Sequence, residues 1–257
     1  MTASEAPGSA AIGDRARYDA LMDVVENRIT TRAFDTGFVV PDEHFELIVD
    51  AARHGPSGAN AQPWHYIVVR EPAVKSAIAD YFVAEQQRRA RLGMKFPTPN
   101  YHGMATAPGL IVVATDFRLI RAFPVLRSED PDSEVNRPYY ENAERILLQS
   151  VAAATMTAHL AAAALGYNVW WVTAIGQRDA QSAIKPLLGV PDELAIIDII
   201  CFGPPAKPVY KRWKKRLDEI MSWDRYDRRN FMTDGDLEEW ITTQRHRVMY
   251  RSQENID

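Results

Sequence analysis

Between Tyr139 and Gly166 the chain carries its longest helical pattern, and eight of the thirteen residues from Ala152 to Ala164 are alanine. Alanine favours a helix by propensity alone, but side chains this small over several turns also let neighbouring elements approach closely. The combination predicts a central, heavily packed helix. Gly166 is placed to cap it, because the left-handed backbone that ends a helix carries no Cβ penalty at glycine.

Shorter elements surround that helix. Four apolar runs read as strands: Trp64–Val69, Gly109–Thr115, Asn168–Ala174 and Leu194–Phe202. Helical spacing is read over Arg15–Asn27 (Tyr18, Leu21, Met22, Val25), in a segment opened by Pro41 (stripe Phe45, Ile48, Val49, Ala52), and over Ala73–Arg91, Gln177–Leu188 and Asp234–Tyr250. Met94–Ala107 and Asp116–Pro138 have no usable periodicity, and loops of that length are where substrate choice could be written. Strands interleaved with helices, without repeats, predict one sandwich of helices and sheet. Residues 1–14 read as a disordered leader.

Composition narrows the function. A net charge of −4 argues against nucleic acid as a partner, since phosphate binding needs a dominant basic face. No uninterrupted apolar run reaches the roughly 18 residues that would span a membrane, so no membrane partner is expected and the setting is expected to be cytoplasmic. The single cysteine, Cys201, lies in an apolar strand and reads as an inert buried thiol. The six histidines show no metal-ligand spacing. Neither a Gly-x-Gly-x-x-Gly, a phosphate-binding Walker loop nor a Gly-x-Ser-x-Gly elbow is present. Catalysis by such a chain would rest on a bound organic cofactor.

Two stretches carry candidate chemistry. In Arg28-Ile-Thr30-Thr-Arg32 the two guanidiniums and a hydroxyl alternate, so an extended backbone points all three the same way. That face is either a phosphate grip, which planar guanidinium forks suit, or a solvated charged strand. Gly55-Pro-Ser-Gly-Ala-Asn-Ala-Gln-Pro-Trp64 is a helix exit and turn; Ser57 and Asn60 are residues that bond back to nearby backbone. It is either a well-made turn or one wall of a site for a planar, hydrogen-bonding ring.

These pieces, followed by Gly203-Pro and the basic segment Lys211–Arg216, occur in the order found in the FMN-dependent nitroreductase family, which the chain resembles from about residue 20 to 224. The resemblance implies an α+β fold: a three-layer sandwich with a mixed, mostly antiparallel central sheet flanked by helices, in an intertwined homodimer. It implies an FMN-binding domain over 15–224, with 225–257 as an extension packing on the partner subunit. By position, Arg28, Thr30 and Arg32 would meet the flavin phosphate and ribityl chain, completed by Arg212 and Lys214. Pro56, Ser57 and Asn60 would line the ring edge, with Gln62 close by and serving the partner's site. The backbone of Thr173 and Ala174 would face the ring near its reactive N5. Met156-Thr157 stands where the family commonly carries Gln-Asn, and the Glu often found at the position of Thr173 is missing.

The activity so implied is a ping-pong FMN oxidoreductase that uses NAD(P)H to reduce a small electron-poor aromatic, nitroaromatic or quinone-like. Alternatives are a reductive dehalogenase, a dehydrogenase, a flavin-fragmenting enzyme, or a flavin-binding regulatory protein of low turnover. Tyr101, His102, Arg118 and Arg121 are the side chains of the irregular segments that could select an anionic aromatic.

Overall fold

The computed structural model describes residues 12–93, 101–123 and 133–244. The chain forms two compact units, residues 1–207 and 208–257.

The first unit holds helices α1 (Arg15–Asn27), α2 (Asp42–Ala52), α3 (Pro72–Arg91), α4 (Gly103–Thr106), α5 (Arg137–Ala164) and α6 (Arg178–Leu188). Its strands are β1 (Trp64–Val68), β2 (Gly109–Thr115), β3 (Asn168–Val172) and β4 (Ala195–Gly203), in spatial order β1-β2-β4-β3. Every pairing in the sheet is antiparallel. The parallel component is an isolated bridge, Thr30 to Val169, on the outer edge of β3.

All seven residues of β2 are buried, so both faces of the sheet are covered. Strand alternation sends Leu110, Val112 and Ala114 to one face, where they join Ile78, Phe82, Met104 and Ile184 of α3, α4 and α6. Ile111 and Val113 go to the other face, against Phe45 and Ile48 of α2 and Val151, Ala154 and Ala158 of α5. Helices, sheet and helices make the three layers. Burying one such Ile or Phe side chain stabilises by about 1.5–3 kcal/mol.

The 28-residue α5 is the spine of one layer. Its charge-free part has a mean hydropathy of 1.4, long and apolar enough by length and composition to cross a bilayer, and half of it is buried inside the molecule. Gln149, Ser150, Thr155, Thr157 and His159 interrupt that stretch. The small side chains are used as expected: a Cβ on Gly55 would sit 2.8 Å from Ala154 Cα, so backbone lies directly on the helix. Gly166, with φ +86°, ends it.

Boundaries shift by a residue or two from the sequence reading. Pro41 precedes the first turn of α2, and Asp14 caps α1 by accepting the N–H of Arg17 at 3.2 Å. α1 buries none of its residues, and Tyr18 and Leu21 are exposed. β3 ends at Val172 because Ala174–Gly176 turns into a 3-10 helix. The second unit contains α7 (Leu217–Ile220) and α8 (Asp234–Thr243), the latter opened by a Thr233–Asp236 capping box. The expected continuation of that helix to Tyr250, and parts of the irregular segments at 94–100 and 124–132, lie outside the described residues.

Candidate functional site

α1 stops at Asn27, and Arg28 closes it by donating its N–H to the Val24 carbonyl at 3.0 Å. The chain then becomes extended and is pinned to β3. Val169 donates to the Ile29 carbonyl (3.2 Å), and Thr31 donates to the Val169 carbonyl (3.0 Å). The Asn168 side-chain amide also reaches the Ile29 carbonyl, at 3.2 Å. Thr31 is buried, and its hydroxyl donates to the Ala33 carbonyl at 3.0 Å. Arg28 and Thr30 are half-buried and Arg32 is exposed, its guanidinium carbon 5.5 Å from the centre of the Trp170 ring. Further on, Asp35 donates to the Pro204 carbonyl (2.9 Å) and Ala206 to that of Ala33 (2.9 Å). The arginine segment is therefore a strand-like strip bound along the sheet edge, and not a free charged loop.

The Gly55–Trp64 loop lies along α5. Ile146, Ser150 and Ala154, spaced four apart on one helix face, receive it in turn. A Cβ on Gly58 would come 2.2 Å from Ile146 Cγ2, the Gly58 N–H donates to Ser150 Oγ at 3.1 Å, and Gly55 rests on Ala154. Ser57 Oγ accepts the Gln62 N–H at 3.1 Å and so closes the turn on itself. Ala59, Asn60 and Gln62 all adopt left-handed backbone, with φ of 52°, 51° and 46°. Such conformations at non-glycine residues cost on the order of 1 kcal/mol each and persist only where surroundings impose them. Pro56, Asn60 and Gln62 are exposed, and Ser57 is half-buried by its turn bond. The loop is therefore an anchored turn with strained backbone and an exposed amide tip.

A buried polar group between α5 and the sheet was not read from the sequence. Asp198 accepts the Trp171 indole N–H at 2.6 Å and the Thr155 hydroxyl at 2.9 Å. Burial raises the Asp198 pKa above the carboxylate range, against the pull of those two donors. One turn along α5, His159 stacks on Trp171 with centroids 5.3 Å apart. Its two ring nitrogens are buried without a hydrogen-bond partner among the described residues. Burial, and after it the charge of Arg28, hold the His159 pKa down to about 3, so the ring is neutral. His159 and Ser150 are nine residues apart, about 14 Å of helix rise. One helix thus carries the anchor of the Gly55–Trp64 loop at one level and a neutral imidazole within range of Arg28 at another. The only sequence signals for this group are polar residues inside an alanine run and a carboxylate inside an apolar strand.

Thr173 is exposed and Ala174 half-buried, at the end of β3 where the 3-10 turn begins; the Thr173 carbonyl accepts the Gly176 N–H at 3.3 Å. The pinning of residues 29–31 on Val169 puts the arginine segment and the Thr173–Ala174 backbone on one strand, about 10 Å apart at strand rise from Trp170. Arg212 and Lys214 belong to the second unit; both are exposed, and Lys214 Nζ donates to the Arg212 carbonyl at 3.3 Å.

The residues offered as substrate selectors separate. Tyr101 is a core side chain, 8% exposed, stacked on Phe82 with centroids 5.2 Å apart and tilted against Trp170 at 5.9 Å. It is a wall of the core and not of a pocket: the proline-rich segment before it hid the short helix α4, which folds residues 101–106 into the core cluster. His102 is exposed. Arg118 pairs with Asp116, at 2.7 and 2.8 Å, and holds that carboxyl below its usual range. Arg121 is exposed on the same 3-10 turn, Phe117–Ala122. A groove of about 690 Å³ beside α2 and β1, lined by Phe45, Leu47, Tyr66 and Val68 among others, contains none of the candidate residues.

Comparison with known proteins agrees with this architecture. Residues 25–204 match the model of the nitroreductase family. An Archaeoglobus fulgidus protein provisionally named NADH dehydrogenase/NAD(P)H nitroreductase is 28% identical over 166 residues, covering 65% of this chain and 75% of its own. An iodotyrosine deiodinase of Nematostella vectensis is 28% identical over 186 residues, covering 71% and 67%. Among solved structures, the NADPH:FMN oxidoreductase from Vibrio harveyi complexed with NAD+ shares the fold with a TM-score of 0.62 at 15% identity, over 87% of this chain and 84% of that one. Nitroreductase A from Vibrio parahaemolyticus does so with a TM-score of 0.64 at 15% identity, over 91% and 88%. The matched region holds the arginine strip, the loop anchored on α5 and the end of β3, and on that match the chain belongs to the nitroreductase family.

Proposed function

We propose that this protein is an FMN-dependent oxidoreductase that takes reducing equivalents from NAD(P)H and delivers them to a small electron-poor aromatic, nitroaromatic or quinone-like, and that it works as a homodimer. The observation that carries this is the pinning of Ile29 and Thr31 on Val169, which sets the Arg28–Arg32 segment along the strand that leads into Thr173–Ala174. The donor set fits a flavin mononucleotide: paired guanidiniums match a phosphate, and a left-handed turn with an exposed amide tip matches the edge of a ring that both donates and accepts.

FMN, when bound, supplies hydride acceptance and donation. Arg28 and Arg32 hold its phosphate end and Thr30 adds a hydroxyl. Pro56, Ser57 and Asn60 flank the ring, with Gln62 turned to the partner's site, and the Thr173–Ala174 backbone lies beside the reacting position. Nicotinamide and acceptor use one face in turn, so the first leaves before the second arrives. The extension that begins at residue 225 is read as packing on the partner subunit; its residues 245–257 lie outside the described residues. The similarity to an NADPH:FMN oxidoreductase fold supports this reading.

Purification with identification of the bound chromophore, followed by NADH and NADPH oxidation against a panel of quinones and nitroaromatics, tests it. Arg28→Ala with Arg32→Ala is expected to release FMN, and dilution to monomer to strip it. A colourless protein, or a flavin-replete monomer, would sink the reading, and a yellow protein inert to every acceptor would make it a binding protein. The iodotyrosine deiodinase similarity favours a second reading, in which the same site removes halogen from a halophenol. Halide release from iodotyrosine under reducing conditions separates the two.

A further inference from the structure

We propose that Trp170 is a positioning residue for Arg32, holding the guanidinium over its ring where it meets the anionic group of the cofactor. The inference rests on the reading of Arg32 as part of an anion grip.

Arg32 is exposed, whereas the indole beneath it is 3% exposed, so an exposed cation lies on a buried ring. The surface is fixed because Trp170 leans on Tyr101 at 5.9 Å and Tyr101 stacks on Phe82 at 5.2 Å, the two rings 19° from parallel. The backbone is held as well. The Thr31 N–H to Val169 carbonyl bond holds the chain just before residue 32 against β3, and a Cβ on Gly103 would come 2.2 Å from the Arg32 carbonyl oxygen. Residues 101–103 therefore press on residue 32 twice, through the ring stack and through the main chain. Burial raises the Tyr101 pKa, so the phenol beneath the stack stays neutral and does not draw the guanidinium inward. A cation over an aromatic face is drawn to it, and an indole is the strongest of those faces. Tyr101, first read as touching substrate, acts from below through Trp170.

A double-mutant cycle on the flavin-free protein tests this, with FMN and riboflavin as probes and binding read by flavin fluorescence. Trp170→Leu is expected to weaken FMN binding about fivefold, and Arg32→Ala about tenfold. Arg32→Ala made on Trp170→Leu should cost less than about twofold more. Additive losses would overturn the positioning role. Riboflavin affinity that is unmoved by Trp170→Leu identifies the anionic group as the phosphate; a non-additive cycle seen equally with riboflavin places it on the ring. Thermal melting monitors folding, and if the leucine variant does not fold, Trp170→Phe decides. A retained ring face should keep FMN affinity within about twofold of wild type, and a loss as large as that of Arg32→Ala overturns the proposal. A wild type that binds neither flavin overturns the cofactor reading and this one with it, whereas normal binding with an additive cycle overturns this one alone.

Discussion

The Gly58 N–H donates to the Ser150 hydroxyl at 3.1 Å, tying the turn after α2 to a helix 92 residues further along the chain. Ser150 passes the bond on, since its own hydroxyl donates to the Ile146 carbonyl at 2.6 Å. A three-residue group thus decides where the left-handed turn at Ala59 and Asn60 sits on α5.

Ser150→Ala removes the acceptor and leaves the Gly58 N–H without its partner. The expected loss is about 1 kcal/mol of folding stability, together with a weaker flavin affinity, because the turn is no longer held. Urea melts and a flavin titration measure both, and an unchanged affinity would show that the anchor does not shape the site.

Gly58→Ala puts a methyl group 2.2 Å from Ile146 Cγ2 and 3.0 Å from Phe123 Cζ. Overpacking of this kind costs about 1–3 kcal/mol. Ile146→Ala in the same chain should recover part of that loss, which chemical denaturation of the single and double variants would reveal.

Asp198 titrates against folding. Its pKa is raised from 3.8, so the folded state holds the proton more tightly than the unfolded chain. The stability it contributes is fully present below about pH 3.8 and is lost as pH rises through the folded value. Asp198→Asn keeps an oxygen for the Trp171 N–H and removes the buried charge. At pH 7 it should be as stable as wild type or more so, by up to about 1 kcal/mol, with a flatter stability–pH curve above pH 4. A loss larger than about 2 kcal/mol would mean that the ionised form is needed.

Glu85 runs the other way. Arg88, at 2.7 and 2.8 Å, and Arg89, at 2.9 Å, hold its pKa down from 4.5 to about 2. Its contribution is present above about pH 4.5 and lost as pH falls through about 2. Glu85→Gln should therefore be less stable than wild type at pH 7 and indistinguishable from it near pH 2, as paired melting curves would show.

Much of the fold was legible because strand alternation and helical spacing act locally. α1 and β2 fall where periodicity puts them, and the alanines of α5 serve the close approach they imply. The extended backbone of the arginine segment was legible too, since residues 29–31 lie as a strip on β3; that Arg32 lies over Trp170, while Arg28 acts on the His159 stacked on the adjacent Trp171, was not. The role of Tyr101 was not, because its burial depends on Phe82 and Trp170, neither of them its neighbour in sequence. Nor was the Asp198 group: a lone carboxylate in an apolar strand is unreadable until Trp171 and Thr155 are seen to face it. Side chains whose partners lie far along the chain stay silent in one dimension.

Residues 29–31 occupy the outer edge of β3, whereas β1, at the other end of the sheet, has no outer neighbour among the described strands. An open strand edge is a template for further pairing. The short strip holds β3 at Val169, so among the described residues the ladder left open along its whole length is that of β1. Two copies meeting through their β1 edges would each cover that ladder, so pairing through this edge closes at two and not at a fibre.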